Sequence, residues 1–130
     1  MSDTIYANVV GGLGNQLFII ATALAYSKKH NKKLHCFFNQ AEKRQNHFKL
    51  PIGLPIDIDI GQTYSEPSFA YTEIPAVDGN ILITGYFQSA KYFNKEIINT
   101  ISIPKSLDYF FPLFKKEKPQ CVFIFAELTT

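Results

Sequence analysis

Val9-Val10-Gly11-Gly12-Leu13-Gly14-Asn15-Gln16-Leu17-Phe18 joins a β-branched, apolar run to an amphipathic one through a turn rich in glycine and ending in two carboxamides. Ile5 to Val10 has the composition of a buried strand. Gln16 to His30 carries Leu17, Ile20, Ala21, Leu24 and Ala25 at helical spacing, so the turn between them is a βα turn. Glycine there serves one of two ends: a tight chain reversal, or the close approach of a phosphate to free N–H groups and to the positive end of the helix dipole. No Lys-Ser/Thr follows as in a Walker A loop, and Gly11, Gly12 and Gly14 miss the dinucleotide spacing.

Working outward, Lys33 to Asn39 reads as a second strand, which makes a β-α-β unit with parallel strands and starts an open α/β sheet. Gln40 to Lys49 is polar and reads as a loop or short helix. Pro51, Gly53 and Pro55 exclude a regular helix over Leu50 to Gly61. Asp57-Ile58-Asp59-Ile60 alternates as a short edge strand would; without a third acidic partner its carboxylates make a solvated face, not a cation site. Gly61 to Gly79, with Pro67 and Pro75, reads as a surface excursion of extended pieces and turns. Ile81 to Tyr86 is a buried strand ended by Gly85 and an aromatic cluster. Lys91 to Ile98 reads as a helix closed by Ile101-Ser102-Ile103-Pro104, and Pro112 to Pro119 as a loop before a last strand, Gln120 to Ala126.

The 130 residues, 46% hydrophobic and 18% charged, suit one globular domain. A net charge of +2 with no dense basic stripe argues against nucleic acid as a partner; Lys28, Lys29, Lys32 and Lys33 read as a solvated helix end. Cys36 and Cys121 lie far apart without metal-type companions and read as free thiols in buried strands. His30, His35 and His47 read as surface or strand residues rather than bases, and no carboxylate stands out, so no catalytic residue is named. The N-terminus lacks a signal-type apolar region and no apolar run of membrane-spanning length occurs, which implies a soluble chain, cytoplasmic or peripheral to a membrane.

A second block, Gly85-Tyr86-Phe87-Gln88-Ser89-Ala90-Lys91-Tyr92-Phe93, accompanies the glycine turn. Together, in this order, Gly-Gly-Leu-Gly-Asn-Gln-Leu-Phe and Gly-Tyr-Phe-Gln-Ser-x-x-Tyr-Phe resemble the alpha-1,2-fucosyltransferases, glycosyltransferase family 11. The resemblance spans Val9 to Phe93. It implies a Rossmann-like open parallel sheet forming the N-terminal lobe of a two-lobe, GT-B-like enzyme. It also implies transfer of L-fucose from GDP-fucose to the 2-hydroxyl of a galactoside glycan, with inversion and without a metal or other cofactor. The lack of a membrane anchor fits the soluble bacterial-type or virus-type members better than the animal ones.

Family members carry, after a strand of the last kind, a His-x-Arg-Arg-x-Asp-Tyr motif implicated in holding the diphosphate. Here Phe123-Ile124-Phe125-Ala126-Glu127-Leu128-Thr129-Thr130 stands instead, without arginine. A one-base shift of the codons for these residues permits His-Ile-Arg-Arg-Thr-Asp-Tyr in register. The expectation is therefore a partial domain over residues 1–130, frameshifted or truncated within the motif, with the donor-binding C-terminal lobe absent. A small domain ending naturally is the other possibility.

The reaction needs a base for the acceptor hydroxyl and positive charge or N–H donors for the leaving diphosphate. Donor and substrate contacts fall on Gly11, Gly12 and Gly14, which let the loop come close, on the carboxamides of Asn15 and Gln16, and on Tyr86 and Gln88 where a strand ends. The plainer possibilities are that Asn15 and Gln16 cap the helix, and that Phe87, Tyr92 and Phe93 are core. Lacking the basic motif, the chain is expected to be inactive alone. The alternative is a non-catalytic carbohydrate- or partner-binding lobe; a sheet cut at its last strand could also fail to fold.

Overall fold

The computed structural model describes residues 3–101. Four parallel strands, β1 (Thr4–Val9), β2 (Lys33–Phe38), β3 (Gln62–Ser65) and β4 (Ile81–Thr84), form one open sheet in the order β2-β1-β4-β3. Helix α1 (Leu13–His30) connects β1 to β2, and a single 3-10 turn (Ala90–Tyr92) and α2 (Lys95–Asn99) follow β4. The α/β parallel sheet expected from the sequence is thus present. The expectations for residues 102–130, including Cys121, the last strand and the chain-end motif, lie outside the described residues.

Register explains why β1 and β4 read as apolar. Ile5 pairs with Ile81 and Ala7 with Ile83, so these side chains share one face. With Val9 they pack beneath Ile19, Ile20, Ala23 and Tyr26 of α1, all buried. Each such Ile or Leu withdrawn from water contributes about 1.5–3 kcal/mol before the entropy of ordering is charged against it. The opposite flank of α1 presents Leu17, Phe18 and Ala21 to Phe93, Ile97 and Ile98. The helix is therefore wedged between the sheet and α2 and is apolar on two flanks.

Four local expectations are corrected. First, α1 begins at Leu13 with Gly12 as its N-cap, so Asn15 and Gln16 lie inside its first turn and neither caps it. Second, Asp57 to Ile60 forms no strand; the edge strand is the polar Gln62–Ser65, which lay in the expected surface excursion. Its lack of apolar periodicity hid it: backbone pairing with β4 and a Ser65–Thr84 hydroxyl bond define it instead. Third, the helix expected over Lys91 to Ile98 is split. Ser89 accepts the Lys91 N–H and Asn94 accepts the Ile97 N–H at 3.0 Å, so two short polar side chains start two separate turns. Fourth, Lys32 is not solvated. The chain leaves α1 through Asn31 in the left-handed region, which turns Lys32 inward until its Nζ donates to the Gly79 carbonyl at 2.6 Å and lies 3.9 Å from Asp3.

Candidate functional site

The C-terminal ends of β1 and β4 are adjacent in the sheet, so the two motifs that follow them meet although some seventy residues separate them. This edge is where open α/β sheets place their ligands.

Gly11 has φ +85°, in the left-handed region that only glycine enters freely. Space makes the same demand: a Cβ there would lie 2.9 Å from Asn15 Nδ2 and 3.2 Å from the Tyr86 ring. The turn, the carboxamide and the aromatic ring are therefore in close contact. Asn15 Oδ1 accepts a hydrogen bond from Gln88 Nε2, tying the first motif to the second. Tyr86 is 40% exposed, and Gln88 is exposed, so both remain open to a ligand. Gly14 is half-buried in the first turn of α1.

Gln16 plays a different part from its neighbours. Its side chain is fully buried, and its Nε2 donates to the Gly11 carbonyl at 3.0 Å and to the Gln45 carbonyl at 2.8 Å. Both amide protons are thus engaged in holding the glycine turn against the loop after β2. Phe87 is fully buried and Phe93 nearly so, which makes them core, while Tyr92 is half-buried.

Three residues join the site that the sequence did not single out. Arg44, the only arginine in the chain, brings its guanidinium over the glycine turn: a Cβ on Gly12 would lie 2.9 Å from Arg44 Nη1. Glu42 Oε2 accepts the Gly11 N–H at 2.7 Å, and its Oε1 accepts the Lys43 and Arg44 N–H groups at 3.0 Å each. These backbone donors, Gly11 first, hold the Glu42 carboxyl below the usual range. Glu66, just past β3, braces the other turn. Its Oε1 accepts the Tyr86 and Phe87 N–H groups at 3.2 and 3.0 Å, and its Oε2 accepts the Tyr92 hydroxyl at 3.2 Å. Burial, above all, pushes the Tyr92 hydroxyl up in pKa. The only hint for Arg44 in the sequence was its singularity; the two glutamates gave none.

The first turn of α1 has N–H groups without intrahelical partners, no side-chain cap and no acidic residue. With Arg44 beside it, this end of the helix suits an oxyanion. The carboxamides of Asn15 and Gln88 and the open Tyr86 face suit a hydroxylated ring.

Two of the three histidines, His30 and His35, stand elsewhere, while His47 lies in the loop after β2, its backbone N–H donating to the Gln45 carbonyl at 3.0 Å. His30 packs on Tyr26 at a centroid distance of 4.3 Å and is lowered in pKa chiefly by burial, and His35 meets Tyr6 edge-on from β2. Burial pushes the Cys36 thiol up to about 12, so it is no nucleophile. Among the described residues no group of three or more His, Cys, Asp or Glu could hold a metal ion, and no helix is long and apolar enough to cross a membrane.

Compared with known proteins, the chain matches no family model, no curated protein and no solved structure.

Proposed function

We propose that this chain is a nucleotide-sugar-binding lobe of the alpha-1,2-fucosyltransferase type, with the diphosphate of GDP-fucose at the Gly11–Gly14 turn and a sugar ring against Tyr86 and Gln88. One observation carries the proposal: the two motifs behind the resemblance meet at one sheet edge and are joined by the Asn15–Gln88 hydrogen bond. Arg44 supplies part of the positive charge for which the sequence offered no source at the chain end.

The chemistry needed at the leaving group is stabilisation of a developing diphosphate charge. The α1 N-terminus and the Arg44 guanidinium are the groups suited to it. In the intact family the sugar goes from GDP-fucose to the 2-hydroxyl of a galactoside, and that step also needs a base. Glu42 and Glu66, the two carboxylates found at this edge among the described residues, are both engaged in bracing backbone N–H groups. Their engagement favours the second reading, a lobe that recognises nucleotide or sugar and transfers nothing by itself.

Calorimetric titration of the folded chain with GDP and GDP-fucose tests the proposal. Binding in the micromolar range is expected, weakened about tenfold by Arg44→Gln, as befits loss of one charge-assisted contact to phosphate. Arg44 is exposed, so the melting curve of the variant should match that of the parent. A folded chain that gives no heat with either nucleotide would overturn the reading.

A further inference from the structure

The hydrogen bond that joins the two motifs leaves each carboxamide half used. Gln88 Nε2 donates to Asn15 Oδ1, so Asn15 Nδ2 remains as a donor and Gln88 Oε1 as an acceptor. Neither has a hydrogen-bond partner among the described residues. Turning both amides over gives the same set, one free NH2 and one free carbonyl. Both groups are within reach of a ligand: Gln88 is exposed, and Asn15 Nδ2 is not sealed from solvent as Gln16 Oε1 is.

The pair is also held in place. Asn15 lies in the first turn of α1, and the approach of Gly11 is so close that a Cβ there would meet Asn15 Nδ2 at 2.9 Å and the Tyr86 ring at 3.2 Å. One donor and one aromatic ring therefore flank the same glycine, with the acceptor tied alongside. Nδ2 and Oε1 do not bond to each other; they are the outer atoms of an open pair, spaced for two ligand groups rather than one.

This chemistry separates the parts of a nucleotide sugar. An ionised phosphate only accepts, so it would use Nδ2 and face the lone pairs of Oε1; its place is with Arg44 and the α1 N–H groups. Hydroxyls both donate and accept. Two of them on adjacent ring carbons take the pair together, one accepting from Nδ2 and the other donating to Oε1, while the C–H face of the ring lies on Tyr86.

We propose that the Asn15–Gln88 carboxamide pair selects the sugar by reading two hydroxyls on adjacent carbons of its pyranose ring. This role rests on the nucleotide-sugar reading and adds to it a demand for a vicinal diol.

A fucosyl group has hydroxyls on carbons 2, 3 and 4, and every adjacent pair includes the 3-hydroxyl. Calorimetric titration of the whole chain with GDP, GDP-fucose and the 2-, 3- and 4-deoxy analogues of GDP-fucose therefore tests the proposal without any substitution. GDP-fucose should bind about tenfold more tightly than GDP, as two net hydrogen bonds allow. The 3-deoxy analogue should bind at least about fivefold more weakly than GDP-fucose, and one of the other two analogues should fall with it while the second does not. Gln88→Leu removes the acceptor and the bond to Asn15, and should bring GDP-fucose and its 3-deoxy analogue to within about twofold of each other. Because this side chain is exposed, the variant should melt like the parent. Equal affinity for GDP and GDP-fucose, a loss confined to the 3-deoxy analogue or absent from it, or a preference that survives Gln88→Leu would overturn the diol reading and leave nucleotide binding standing. No binding of any of these ligands would overturn both.

Discussion

The turn after β1 and the turn after β4 are built alike and anchored differently. Each leaves the C-terminal end of a central strand through a glycine at positive φ, and each has its backbone N–H groups held by a glutamate from the loop after the neighbouring edge strand. Glu42 reaches only backbone N–H groups, two of them in its own exposed loop. Glu66 also binds Tyr92, which packs edge-on against the buried Phe87 and accepts the Thr72 N–H. The N–H groups of the β4 turn are therefore fixed to the core, while the Gly11 N–H is latched to a surface loop that also carries Arg44, the buried Gln16 holding only the Gly11 carbonyl. The wall at β4 should therefore be the more rigid of the two.

The largest effect should come from breaking the rigid wall at its glycine. Gly85 has φ +140°, and a Cβ there would stand 2.6 Å from Glu66 Cβ, an atom next to the backbone that cannot swing aside. Gly85→Ala should cost about 3–5 kcal/mol, from backbone strain together with displacement of the brace. The urea midpoint measures it; a loss under about 1 kcal/mol would mean that the turn is not held as rigidly as the contacts imply.

A smaller loss should follow when the brace itself is removed. Glu66→Ala leaves the Tyr86 and Phe87 N–H groups and the Tyr92 hydroxyl without their acceptor. Because the site is only partly buried and water can replace some of these bonds, the cost should be about 1–2 kcal/mol. Hydrogen exchange sharpens the comparison: amides of the β4 turn should lose protection, while Gly11 keeps its own. Equal loosening of both turns would show that they move as one unit.

How much of this was legible in the sequence follows from what each element depends on. β1, α1, β2 and β4 bury apolar side chains, and those side chains are written in Ile5 to Val9, Leu17 to Ala25, Phe37-Phe38 and Ile81 to Ile83. β3 is a strand because β4 offers it a backbone to pair with, and Gln62-Thr63-Tyr64-Ser65 carries no trace of that offer. The site divides in the same way. Gly11 and Gly85 were legible because their conformations restrict the residue to glycine. Gln16 was visible as a chemical group, but whether its amide faces a ligand or the Gly11 and Gln45 carbonyls is decided by a loop twenty-nine positions away. Arg44, Glu42 and Glu66 lie in loops, where only folding sets distances.

The smallest effect is expected at the yielding wall, and it should appear as a pH dependence. The Glu42 carboxyl is held below its ordinary value of 4.5, first by the Gly11 N–H and then by that of Arg44. A carboxyl lowered on folding stabilises the native chain above its unfolded pKa, and that contribution is lost as the pH falls through the folded value. The parent should therefore be slightly more stable than Glu42→Gln at neutral pH, with the gap closing once the pH drops below 4.5. Glu42 is only half-buried, so salt should shrink the gap further. Exchange of the Gly11 amide gives a local readout: in the parent its protection should fall on acidification, and in Glu42→Gln it should start lower and change less. If Gly11 stays equally protected in both proteins at every pH, Glu42 is no latch, and the two walls are equally rigid.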